Sequence, residues 1–481
     1  MDESNGTKEE AEIAREHIEE QAKGFLAFTG VQRPPPNAVF LLVMGMTGSG
    51  KSSFVSSCTG RDVVVGHGLQ SCTSDIMIFD FDLDGHKVYL VDTPGFNDTH
   101  KSDAETLATV ATYLGTSFAQ NIFIHGILYL HRISDNKVGG SARRNIDMLK
   151  AMIGEAAYTN VALVTTMWGG AGGGGSPTMM STMEMREILL RREEELGTDR
   201  SFFAELIEGG ARLVRHGDFD NSGRAIGSSA RETDDELLRA SALAIVRQLI
   251  SQSRATGGPA VLLIQHELVE EKRRLEQTSA GIIVRGDLDR TAADYMGQLI
   301  ALKDMIRSKT QAAATVTAMG TQQSATSASN EENREDADLE TEFKEKLATV
   351  DEERQVLGSG LQTLQRKEQE SLTQKLEAAE ERFRAELELK ERRLVELERS
   401  LQQARRARLR KTEPADKQPT PPQLSRVKEE VRKGRRALAG LKHTIDGVKE
   451  GLATGLATSM SSAVVTTVVG AIATTMVCVL M

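Results

Sequence analysis

The stretch Val39-Phe-Leu-Leu-Val-Met-Gly45-Met-Thr-Gly-Ser-Gly50-Lys51-Ser52 limits what this chain can fold into more than any other. An apolar run enters a glycine-rich turn, and the helix-prone segment Ser53–Cys58 follows it. The spacing GxxxxGK[ST], placed after a strand and before a helix, is that of a phosphate-binding loop. Gly45, Gly48 and Gly50 let backbone N–H groups wrap an oxyanion with no Cβ in the way. Thr47, Ser49 and Ser53 complete the cradle. The Lys51 ammonium is expected to neutralise β- and γ-phosphates, and the Ser52 hydroxyl to bind Mg2+.

The surrounding sequence fits a layered α/β domain. Strands are expected at Val39–Met44, Ile76–Phe81, Lys87–Val91, Gly126–His131, Val161–Thr166 and Arg212–Arg215. Asp84-Gly85 reads as a tight turn that pairs the second and third as an antiparallel hairpin. Helical patterns separate the others, which implies a mostly parallel sheet with one antiparallel edge strand. Tyr89-Leu-Val-Asp92 ends an apolar strand in a carboxylate, the arrangement that holds Mg2+ through water, and Thr93-Pro94-Gly95 follows. Gly95 is placed to offer its N–H to a γ-phosphate, so Phe96–Lys101 is expected to move when that phosphate leaves. In the polar loop Gly66–Ser74, Thr73 is the candidate for both Mg2+ and the γ-phosphate, the alternative being a loop threonine in a turn.

Composition narrows the rest. The chain has 481 residues, a net charge of −10 and only 4% aromatics, most of them before residue 220. An acidic balance argues against a nucleic-acid binder working by bulk charge. Cys58, Cys72 and Cys478 are too far apart for a disulfide framework or a cysteine zinc site, and no apolar leader opens the chain, so a reducing compartment is expected.

The expected organisation is an acidic helix with a proline linker (1–36), the phosphate-binding domain (37–253), a helical extension (254–310) that includes a helix over Val261–Gln277, and a flexible linker (311–334). A long charged helix or coiled coil (335–411) follows, with heptad-spaced Leu357, Leu361 and Leu364, then Leu387, Leu394, Leu397 and Leu401. A proline-rich linker (412–425), a basic segment (426–459) and a hydrophobic tail (460–481) close the chain. Residues 463–481 carry no charged side chain. At 1.5 Å rise per residue this stretch would span about 28 Å, close to the thickness of bilayer hydrocarbon. The tail therefore reads as a transmembrane helix that anchors the chain to lipid on the cytosolic face of an intracellular membrane. A buried helix and an amphipathic surface anchor are its alternatives.

These motifs carry a resemblance. GMTGSGKS, the Ser71-Cys72-Thr73 loop and DTPGFNDT, with Gly126-Ile-Leu-Tyr-Leu-His131-Arg132 and Val161-Ala-Leu-Val-Thr-Thr-Met-Trp168, resemble the septin/Toc34/AIG1 class of GTPases (paraseptin-like), most of all the fungal G-domain-containing proteins. The resemblance covers about residues 37–280. It implies a Ras-like P-loop fold, GTP/GDP and Mg2+ as ligands, slow hydrolysis, and dimers across the nucleotide face. One departure stands out. The family reads guanine with [NT]KxD after the fifth strand, and here Thr166-Met167-Trp168-Gly169 puts glycine where the aspartate belongs. Thr166 and Trp168 are the base-side candidates. Trp168 either stacks on the base or is a core or surface aromatic, and Ser228-Ser229-Ala230 is a further loop for the base. Phe96 replaces a water-orienting glutamine. Arg132 either reaches a partner's phosphate or is structural. The expected function is a slow, membrane-anchored GTPase switch, a homodimer through the G domain or the coiled coil. The alternatives are a nucleotide-binding scaffold with negligible turnover and, given the missing aspartate, a P-loop ATPase.

Overall fold

The structure, a computed structural model, describes residues 27–28, 32–60, 76–98, 101–135, 140–168, 182–218, 234–318 and 328–367, with single positions beyond. The chain divides into two compact units. One comprises Pro36–Met77 and Phe81–Leu364, and the other comprises Met1–Pro35, Ile78–Asp80 and Gln365–Met481, most of which lies outside the described residues.

The first strand, β1 (Ala38–Gly45), is apolar along its length and buried from Val39 onward. Continuous burial on both faces marks the centre of a parallel sheet covered by helices. Helix α1 (Lys51–Thr59) follows the phosphate loop, then β2 (Met77–Leu83) and β3 (His86–Asp92). Asp84 (φ 49°) and Gly85 (φ 80°) connect these two strands. Two residues with positive φ form a hairpin turn, which forces β2 to run against β3. Helix α2 (Asp103–Ala119) begins at a capping box, in which Ser102 accepts from the Glu105 N–H and the Glu105 carboxylate accepts from the Ser102 N–H. Then come β4 (Gly126–Arg132), α3 (Gly140–Ile153), β5 (Val161–Thr166), α4 (Thr182–Thr198), α5 (Ala204–Glu208), β6 (Arg212–Arg215) and α6 (Asp234–Ala255).

The six strands lie in the order β2-β3-β1-β4-β5-β6. β1 pairs in parallel with both β3 and β4, with Val43 opposite Asp92 and Gly45 opposite Leu130. This register brings the glycine-rich turn and the β3 carboxylate to the same sheet edge, the carboxyl ends of the strands, where open α/β sheets bind ligands. The Ras-like, mostly parallel sheet with one antiparallel edge strand is as the sequence implies.

The helical part departs from expectation. Val261–Gln277 is not one helix: it breaks into a turn at Leu263–Gln265, a wide turn at His266–Glu270 and a tight turn at Leu275–Gln277, with Lys272 at φ 56°. Glu267, only 2% exposed, explains the break. Its carboxylate accepts from the Ser279 N–H (3.0 Å), the Ser279 hydroxyl (2.7 Å) and Arg273 (3.0 Å), capping α7 (Ser279–Ala318). A straight helix would hold positions twelve residues apart about 18 Å from each other. The chain folds back to satisfy the α7 N–H groups.

Helix α8 (Ala328–Leu357) returns along α7 as an antiparallel hairpin. Arg354 pairs with Asp289 (2.7 Å), Phe343 with Tyr295 (ring centroids 6.4 Å), Glu340 with Lys303 (3.6 Å) and Asp336 with Lys309 (3.2 Å). The expected linker 311–334 is thus largely helical: α7 runs to Ala318 through the Ala-rich Gln311-Ala-Ala-Ala, and α8 starts at Ala328. The coiled coil expected over 335–411 is, as far as Leu357, one arm of this intramolecular pair. Leu357 and Leu364 are buried at 0% and 4%, and a Cβ on Gly115 of α2 would come within 3.0 Å of the Leu361 methyls. Leu361 thus packs against α2, and Leu357 and Leu364 are covered within this chain. Leu387, Leu394, Leu397 and Leu401 lie outside the described residues.

The membrane reading is corrected. Among the described residues no helix is long and apolar enough to cross a membrane, and 460–481, where the transmembrane helix was expected, lie outside them. The expectation rested on length and apolarity alone, which say that a segment could reach across hydrocarbon, not that it forms the spanning helix. The hydrophobic tail helix, the lipid partner and the placement on an intracellular membrane are therefore withdrawn.

Candidate nucleotide-binding site

The phosphate loop is held from three sides. Gly45 (φ 143°) passes so close to β4 that a Cβ there would sit 2.4 Å from the Leu130 carbonyl oxygen, and Gly48 (φ 76°) and Gly50 (φ 91°) continue the turn. These conformations are open to glycine and strained for other residues. The Thr166 hydroxyl, at the end of β5, donates to the Ser49 carbonyl (2.9 Å) and thereby ties the loop to the base side of the sheet edge. Lys51 is buried, its ammonium donating to the Gly45 and Met46 carbonyls, both at 3.1 Å. Ser52 and Ser53 open α1, Ser53 facing solvent. Thr73 lies outside the described residues.

Beside Lys51 stands Asp92, 1% exposed, at the end of β3. Its Oδ2 accepts from the Ser52 hydroxyl at 3.3 Å, while its Oδ1 and the Ser49 Oγ are buried with no hydrogen-bond partner. Burial pushes the Asp92 carboxyl up to about 6, although Lys51 and the Ser52 hydroxyl pull the other way. Burial likewise lowers the Lys51 ammonium, opposed by Asp92 and Asp98. An orphaned carboxylate oxygen beside a serine hydroxyl is a donor set of hard oxygens, which suits Mg2+. No group of three or more His, Cys, Asp or Glu that could hold a metal occurs among the described residues. That is compatible with an ion held by one carboxylate, a hydroxyl and phosphate oxygens.

The segment after β3 closes over the loop. A Cβ on Gly95 would lie 2.3 Å from the Thr47 Oγ1 and 2.6 Å from the Thr47 nitrogen. The Thr47 N–H donates to the Phe96 carbonyl (3.0 Å), and the Thr47 hydroxyl to Asp98 Oδ2 (3.0 Å). Phe96 is 2% exposed and points into the core. Asp98 is a site residue that the motif reading missed. Nothing in DTPGFNDT marks its aspartate as facing the phosphate loop, although its short distance from Gly95 was a hint. Arg132 lies over the loop, with an Nη 3.3 Å from where a Gly48 Cβ would be, and is paired with Asp135 at 3.2 Å. Its neighbour His131 is structural: it is buried, its pKa pushed down to about 4 by that burial, and its ring meets Phe203 edge-on at 5.6 Å.

On the base side, Met167 (φ 63°) turns outward and Trp168 turns inward, 7% exposed. The indole Nε1 donates to the Thr165 carbonyl (3.2 Å) and hydroxyl (3.1 Å), and the Arg215 guanidinium lies 4.7 Å from its ring centroid. Arg215 is in turn held by Glu193 (Nε to Oε2, 2.7 Å) and Asp218 (3.2 Å), and Asp218 by both Arg186 nitrogens (2.5 and 3.2 Å). Of the two alternatives for Trp168, this geometry matches the packed aromatic. Gly169 and Ser228-Ser229-Ala230 lie outside the described residues.

Residues 40–160 match the family model described as 50S ribosome-binding GTPase. The chain is 29% identical over 158 residues to GTP-binding protein A of Dictyostelium discoideum, which covers 32% of this chain and 33% of that protein. The match thus spans about a third of the curated relative's length. Among solved structures the chain is similar to Toc33 from Arabidopsis thaliana in complex with Mg2+ and GMPPNP, at 18% identity over 51% of this chain and 95% of that one, with a TM-score of 0.35. It is also similar to Toc33 in complex with GDP and Mg2+, at 16% identity over 52% and 99%, with a TM-score of 0.32. The third is a structure of chloroplast translocon components for whose GTPase activity dimerization is important, at 18% identity over 48% and 90%, with a TM-score of 0.33. These matches support the resemblance at the level of the P-loop GTPase superfamily and do not single out the fungal proteins. With the phosphate loop, the β3 carboxylate and the sheet order in place, the chain has the Ras-like P-loop fold, and its residues 40–160 are similar to the GTPase family that this model describes.

Proposed function

We propose that the chain is a slow GTPase switch that binds GTP and GDP with Mg2+. The observation that supports this reading most is the convergence of Lys51, Ser52 and Asp92 at one glycine-rich turn, with a buried, unpartnered carboxylate oxygen on Asp92. In this reading Gly45, Thr47, Gly48, Ser49, Gly50 and Ser53 present the loop that wraps the phosphates, and Lys51 neutralises them. Ser52, Asp92 and Thr73 would hold Mg2+, which when bound offsets charge on the β- and γ-phosphate oxygens. The Gly95 N–H turns toward the γ-phosphate. Thr166 bounds the base side through its bond to the Ser49 carbonyl, and Trp168 packs inward behind it on Thr165.

Buried Phe96 leaves the position after Gly95 with no side chain to orient a water. Two readings follow from that observation. In the first, turnover is completed in a homodimer formed through the G domain, and Arg132, lying over Gly48, is the residue placed to face a partner's nucleotide. In the second, the chain is a nucleotide-binding scaffold with negligible turnover. Phosphate release from GTP at rising protein concentration separates them: specific activity that climbs with concentration supports the dimer, and none at any concentration supports the scaffold. Titration of the full chain with GTPγS, GDP, ATPγS and ADP tests the base. Equal or adenine-favouring affinities would overturn the guanine reading. Lys51→Ala is expected to abolish nucleotide retention, and unchanged binding would overturn the phosphate-loop assignment.

A further inference from the structure

The segment that closes over the phosphate loop is held at its far end by the α7–α8 hairpin. Asp98 takes the Thr47 hydroxyl at 3.0 Å, and the carbonyl of Phe96, two residues before it, takes the Thr47 N–H, so two donors of the loop are already engaged. The neighbouring Asn97 N–H donates to Asp103 Oδ1 at 2.7 Å. Asp103 Oδ2 accepts from Arg144 of α3 at 3.4 Å, and Arg144 is also ion-paired with Asp287 of α7. A cavity of about 350 Å3 lies along this route, lined by Asp98 from the segment, Asp103 from α2, Asp287 and Tyr295 from α7, and Lys346 and Glu353 from α8. A contiguous chain of polar contacts therefore runs from the phosphate loop to the hairpin.

We propose that Asp98 is an autoinhibitory carboxylate that competes with the terminal phosphate for the phosphate loop, and that the α7–α8 hairpin holds it there through Asp103, Arg144 and Asp287. The proposal rests on the GTP-binding reading. A carboxylate and a phosphate are both anions seeking the same donors and the same buried Lys51, whose charge Asp98 already favours. Bringing a γ-phosphate to this corner displaces Asp98 and draws on Asn97 and Asp103. Because coupling is reciprocal, whatever loosens the hairpin favours the triphosphate, and the triphosphate loosens the hairpin.

The test uses the full chain with GTPγS and GDP, each with Mg2+. Asp98→Asn keeps the size of the side chain and removes the charge. It is expected to tighten GTPγS by about five-fold or more while changing GDP less, the range of ordinary site-to-site coupling. Asp287→Asn, on α7, is expected to act in the same direction, and the double variant to gain less than the product of the two, as linked residues do. In the unmodified chain, GTPγS but not GDP is expected to speed amide exchange in residues 284–295 and 346–353. If Asp98→Asn weakens GTPγS or leaves it unchanged, the proposal is overturned. If GTPγS protects residues 45–53 while hairpin exchange stays constant, the autoinhibition fails and the GTP-binding reading stands. If neither nucleotide protects residues 45–53, both fall. Fluorescence of Trp168, the chain's single tryptophan, verifies that each variant is folded.

Discussion

Replacing Asp92 with asparagine should stabilise the sheet domain while removing the Mg2+ dependence proposed for its site, because the site holds its carboxylate in an environment that suits the neutral form. Burial raises the Asp92 carboxyl from 3.8 to about 6. A folded pKa above the unfolded one means that the folded state keeps its proton over a pH range in which the unfolded state has lost it. Stability falls as pH rises from about 4 to about 6, and the loss is complete above that. Holding a carboxyl this far above its ordinary value costs about 3 kcal/mol at neutral pH, with the attraction to Lys51 already counted. Asparagine keeps the shape and an acceptor for the Ser52 hydroxyl but carries no charge, so at pH 7.5 it should recover about 1–3 kcal/mol of that cost. Urea unfolding of the full chain followed by Trp168 fluorescence reports the G domain alone. The expected result is a variant more stable than the parent at pH 7.5, with the gap closing toward pH 4.5, and nucleotide affinity that no longer responds to Mg2+. A gap that is absent at pH 7.5, or equal at both pH values, would refute the reasoning. It would mean that Asp92 is solvated or paired more fully than its orphaned Oδ1 indicates.

Two further substitutions probe the loop and the base side. Gly95→Ala places a methyl against the Thr47 backbone nitrogen (2.6 Å), which a rotamer change cannot relieve, so it should cost about 1–3 kcal/mol of G-domain stability by urea unfolding and weaken GTPγS in titration. Unchanged values would show that Gly95 and Thr47 are not in contact. Trp168→Phe removes the donation to Thr165 and weakens the stack under Arg215, so the thermal midpoint should drop, reflecting about 1–2 kcal/mol, while GDP affinity stays the same. A large loss of GDP affinity would instead mean that the indole stacks on the base.

The parts of this molecule legible in its sequence are those in which one short stretch both forms an element and limits it. β1 ends where Gly45 must cross β4, and Asp84-Gly85 can only turn the chain back, so strand positions and the antiparallel edge follow from local chemistry. Lys51, Ser52 and Asp92 are brought together by the register of β1 against β3, and that register follows from two apolar runs with one central solution. The helical half obeys a different logic. Residues 261–277 carry a helical pattern, yet one buried carboxylate, Glu267, gains more by capping α7 than the backbone loses by breaking the helix. Leu357, Leu361 and Leu364 keep coiled-coil spacing, but spacing says only that a partner face exists, not which one. Here Leu361 meets α2 of the same chain. Asp98 belongs to this second class. Its importance comes from Thr47, fifty-one residues earlier, and from a hairpin nearly two hundred residues later, so no window of sequence contains the reason for it. The phosphate-loop geometry of this chain is written locally, whereas the control proposed for it depends on contacts that only the folded chain brings together.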